Sequence, residues 1–111
     1  MTHAQFIQML SGFDKQQKAI FYTELARNLT VAVRSIWSDE KLSVDDRFER
    51  LTGMNEAMHR VLNRLRDVQD NQHLWTDDDL WHMLLDTVAH YSGINEDVGG
   101  AMVVTLQSYD T

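Results

Sequence analysis

Four times along this 111-residue chain a Ser, Thr or Asp stands three residues ahead of a Gln or Asp and opens a run of apolar residues at helical spacing: Thr2–Gln5, Asp14–Gln17, Ser43–Asp46 and Thr76–Asp79. Each pair has the form of an N-cap, in which the first side chain accepts from the amide three residues on. With no Pro and only five Gly, little interrupts the helices that these caps begin. The fold class predicted is therefore all-α: a compact bundle of about five helices built on a long antiparallel hairpin, in one domain spanning 1–111.

The spacing predicts a short first helix carrying Phe6, Ile7 and Leu10 and ending near Ser11–Gly12. A long second helix, roughly 15–38, follows with Ala19, Tyr22, Leu25, Leu29, Ala32 and Ile36 as its stripe, widened by Ala26, Val33 and Trp37. In the third, Val44, Phe48, Leu51, Asn55, Met58, Leu62 and Leu65 alternate steps of four and three, the pattern of a packed seam with Asn55 as its polar member. Asp70-Asn71-Gln72-His73 breaks the period, and a fourth helix presents Leu80, Trp81, Leu84, Leu85, Val88 and Tyr91 before Gly93 stops it. Residues 96–109 have strand composition around Met102–Leu106. Val98, Ala101, Met102, Thr105, Leu106 and Tyr109 nonetheless share one helical face, so a fifth helix is predicted, capped by Asn95.

Charge is unevenly placed. All ten Lys and Arg fall in residues 1–66 against eight acids, whereas Asp67, Asp70, Asp77, Asp78, Asp79, Asp86, Glu96, Asp97 and Asp110 follow with no base among them, for a net −7. A one-signed region attracts basic partners and repels phosphates, so the chain is read as a small acidic interaction or regulatory protein that docks on a basic protein surface, with no direct nucleic acid contact. An inhibitor that mimics nucleic acid is a specific version of this. The expected partner-binding residues are Asp77, Asp78, Asp79, Trp75, Trp81, His82 and Asp86. Three carboxylates in a first helical turn also have a purely structural reading, since that turn favours negative charge.

Two metal readings compete with this. Asp78, His82, Asp86 and His90 form a column at four-residue steps, and Glu56–His59 has the Glu-x-x-His spacing of di-iron bundles. The column lacks an outside ligand and the Glu-x-x-His occurs once, so no metal or cofactor and no catalytic residue is assigned; a metal-binding bundle or metal-dependent enzyme using Glu56, His59, His82 and Asp86 stays as the rival. A homodimer on the hairpin is a third reading, with the arginines of the third helix meeting the acidic end of a second copy. Asn28-Leu29-Thr30 matches a glycosylation acceptor but falls mid-helix and is set aside. Zero Cys, no signal-like start and no long apolar run predict a cytoplasmic protein with no membrane association.

Val31–Trp37, Leu42–Ser43 and Met54–Arg60 together resemble a group of short bacterial all-helical proteins of unassigned function, over about residues 20–65. The resemblance implies a bacterial, helical, non-secreted chain and carries no site residue with it.

Overall fold

The computed structural model describes residues 2–72, 75–91 and 93–109. Five helices run α1 (His3–Ser11), α2 (Lys15–Ser38), α3 (Val44–Gln69), α4 (Asp77–His90) and α5 (Asn95–Gln107), and no strand occurs among the described residues. Of the acids expected to define the rear of the chain, Asp110 lies outside the described residues, as does His73 of the predicted break.

The caps form as their residues dictate. Thr2, Asp14 and Thr76 each accept from the amide of Gln5, Gln17 and Asp79, and each of those side chains returns a bond to the cap amide; Ser43 accepts from Asp46. The fifth helix departs from expectation. Its N-cap is Ile94, which supplies no side-chain bond, and Asn95 is the first helical residue. Past the end of α3, Asn71 takes φ +56, the left-handed conformation that lets the Gln72 amide turn back to the Asp67 carbonyl at 2.9 Å.

The long helices α2 and α3 pack as a hairpin, α5 lies against α2, α4 against α3, and α1 against α4. The core is Phe6 and Leu10 of α1, Phe21, Tyr22, Leu25, Leu29 and Ile36 of α2, Met54, Ala57 and Val61 of α3, with Leu80, Ile94 and Val98 from the rear. Gly53 makes this possible: a Cβ there would stand 2.7 Å from Tyr91 Cβ and 3.0 Å from Ile94 Cδ1, so the chain after α4 crosses α3 where only glycine fits.

The α3 seam is corrected. Val44 is 80% exposed, Phe48 72% and Asn55 and Leu62 are exposed as well, while Leu51, Met58 and Leu65 are only partly covered. The buried line is instead Met54, Ala57, Val61, Arg64 and Val68, with the same alternation of three and four but about one residue around the helix. On this line Arg64 meets the carboxylate of Asp77. Trp37, expected to widen the α2 stripe, is 64% exposed, and Leu85 of α4 is exposed too.

Candidate functional site

Three consecutive acids open α4 and perform three different tasks. Asp77 points inward. Its Oδ1 accepts from Tyr22 Oη at 2.6 Å and Arg64 Nε at 3.0 Å, and its Oδ2 accepts from Lys18 Nζ at 2.8 Å. Arg64 also donates from Nη1 to the Trp75 carbonyl at 2.6 Å, which fixes the chain entering α4. Burial alone would raise the Asp77 carboxyl, but the bonds from Lys18 and Tyr22 and the Arg64 charge outweigh it and hold the group below the ordinary carboxylate range. Burial, and then the Asp77 charge, push the Tyr22 hydroxyl far above its usual value.

Asp79 serves the cap: its Oδ2 accepts from the Thr76 amide at 2.9 Å while its own amide donates to Thr76 Oγ1 at 3.0 Å. Those bonds hold its carboxyl below the usual range. Asp78 turns to the opposite side from the core, where it meets His3 of α1 and, at 3.5 Å, His82 Nε2 one turn along α4.

Folding therefore undoes the separation of charge in part. Lys18 and Arg64 are spent on Asp77, Arg50 meets Asp97 at 2.7 Å, and His3 reaches Asp78. Front-half bases meet rear acids at these points inside one copy, and of the acids expected to form a docking prong, Asp77 has its carboxylate bonded internally to Lys18, Tyr22 and Arg64. The same pairs engage Arg50 and Arg64, two of the α3 arginines that a second copy was expected to meet, and Arg60 is paired with Glu56 on its own helix. Arg60 and a bond from Tyr91 hold the Glu56 carboxyl below its ordinary value.

The remaining predicted positions are scattered. Trp81 is half-buried, its ring 5.1 Å from Phe6 and 5.5 Å from His3, which makes it part of the α1–α4 contact. Trp75 is exposed above a groove lined by Glu56, His59, Arg60 and Met83. Asp86 is exposed with no partner among the described residues. The rival metal set of Glu56, His59, His82 and Asp86 is not assembled; the one His/Asp/Glu group close enough to share an ion among the described residues is His3, Asp78 and His82. Asn28 uses its amide on Thr105 Oγ1 at 2.8 Å, a structural bond between α2 and α5.

What spacing did not anticipate is an apolar groove on one side of the hairpin. Thr30, Val33 and Trp37 of α2 and Leu51, Asn55 and Met58 of α3 line a depression of about 280 Å³, and Val44, Phe48 and Leu62 extend its α3 wall in both directions. Acids surround the tip: Asp39, Glu40, Asp45, Asp46 and Glu49 stand against Lys41 and Arg47 over residues 38–49, a local charge of −3. The signal was present as two seams on α3 one residue apart, of which the fold can bury only one. Comparison with family models, curated proteins and solved structures returns no match to this chain.

Proposed function

We propose that this protein is an interaction module whose α2–α3 groove receives a basic amphipathic helix of a partner protein. The observation that carries the reading is the unburied α3 seam from Val44 to Leu62. A monomer that leaves Val44, Phe48 and Trp37 largely in water retains unfavourable apolar surface that a partner would cover. The seam runs about 27 Å along the helix, the length of a partner helix of about 18 residues docking in helix-in-groove fashion. Trp37 and Phe48 are the anchors, Asn55 is a polar group that selects register, and the carboxylates of the tip select a positively charged rim.

The acidic character read from the sequence is retained here and moved from α4 to the hairpin tip. A nucleic-acid mimic is less well supported, because Asp77 and Asp97 are neutralised and Asp79 is a cap. Two copies meeting tip to tip would bring like charges together, which argues for a basic partner over a homodimer.

The test uses two designed helical peptides of 18 residues, one of Leu and Lys and one of Leu and Glu at the same spacing. The basic peptide binds at micromolar concentration and its association slows as salt rises, while the acidic one does not bind. Equal binding of both, or a dimer in sedimentation that competes with the basic peptide, contradicts the reading.

A further inference from the structure

We infer that His3, Asp78 and His82 form a binding site for one zinc-type divalent cation, which ties α1 to α4. One ligand atom from each of the three lies within 4.8 Å of the other two, and they come from two helices that only the fold brings together. The Nε2 atoms of both histidines approach the two oxygens of a single carboxylate, His3 at Oδ1 and His82 at Oδ2, and the imidazole rings stand 5.4 Å apart.

The chemistry of the donor set selects the ion. Two imidazoles and one carboxylate suit borderline transition metals, zinc above all, and do not suit calcium or magnesium, which take oxygen. The side chains are 45%, 51% and 63% exposed, which leaves the remaining coordination position to water.

Local structure supports the arrangement. Trp81 lies beside His3 with its ring tilted 47° to the imidazole, and Phe6 packs against Trp81, so an apolar wall flanks the His3 ring. The amide ends of α1 and α4 oppose a cation, and the Asp78 carboxylate itself, with Asp79 next to it in the first turn of α4, offsets that field. Because the other two acids of the run are occupied, Asp78 alone is available as a ligand. The outside ligand that the α4 column lacks in sequence is His3, and the column continuing through Asp86 is not needed.

The experiment is zinc titration against a chromophoric chelator, with protein carrying no affinity tag. Wild type takes up about one equivalent with micromolar or tighter affinity. His3→Ala, His82→Ala and Asp78→Asn each weaken it at least about tenfold, whereas Asp86→Asn and His59→Ala leave it unchanged. As a second readout, zinc at about 100 times its dissociation constant raises the thermal midpoint of wild type by about 5 °C or more, and does not move that of His3→Ala. Undiminished binding by His3→Ala, or uptake well below one equivalent at about 100 µM free zinc, overturns the inference.

Discussion

Arg64 and Asp77 sit thirteen residues apart, one in the last third of α3 and the other at the first position of α4, and their side chains meet at 3.0 Å with Asp77 only 14% exposed. The pair does more than join two helices. By carrying Lys18 and Tyr22 of α2 to the same carboxylate, it gathers three helices around one charge, and it turns what reads in sequence as an outward acidic prong into an internal fastening.

Asp77→Asn is expected to destabilise the fold by about 2–3 kcal/mol in urea unfolding, because it leaves Arg64 and Lys18 partly buried without a counter-charge. The same variant alters the acid limb of stability. Asp77 has a folded pKa below its unfolded value near 4, so its contribution is present above that pH and is lost as pH falls through the folded pKa. Asp77→Asn lacks this component, and its stability falls less steeply below pH 4 than that of wild type.

Two glycines on helices should respond in opposite directions to alanine. Gly53→Ala drives a methyl into Tyr91 and Ile94 and is expected to cost about 2–3 kcal/mol. Gly100→Ala meets nothing within 4 Å and should stabilise by about 0.5–1 kcal/mol through helix propensity. Thermal unfolding of the two single variants decides it.

Thr76→Ala removes the hydroxyl that accepts from the Asp79 amide and should cost about 1 kcal/mol. Since α1 rests on α4, amide exchange is expected to rise in both helices, which hydrogen-exchange mass spectrometry resolves.

If the groove serves binding, its anchors contribute little to the free fold. Trp37→Ala and Phe48→Ala should each change stability by less than about 0.5 kcal/mol, whereas truncation of the buried neighbour Ile36 to Ala costs about 3 kcal/mol. Chemical denaturation of the three variants tests this contrast.

Helix number, boundaries and three reciprocal caps were legible because each depends on residues three or four apart, and local geometry is what a sequence encodes most directly. The buried side of α3 was not. Its two apolar lines lie about 100° apart, and the choice between them rests on long-range matters: Gly53 beneath Tyr91, and Arg64 opposite Asp77. The line containing two arginines looked the less apolar, yet Arg50 and Arg64 are there to meet Asp97 and Asp77. The same blindness to distant pairing hid the metal candidate. His3 lies three and four residues before Phe6 and Ile7 and so belongs to the docking face of α1, a signal that names it only once α4 is known to be what α1 docks on.

The most direct test of where this protein binds compares two double variants for affinity toward the basic Leu/Lys peptide. Trp37→Ala with Phe48→Ala removes the groove anchors, and Asp78→Asn with Asp86→Asn neutralises the exposed acids of α4. The account predicts at least a tenfold loss for the first and a change of less than about twofold for the second. The opposite ranking, with the groove variant binding like wild type and the α4 variant failing, contradicts it.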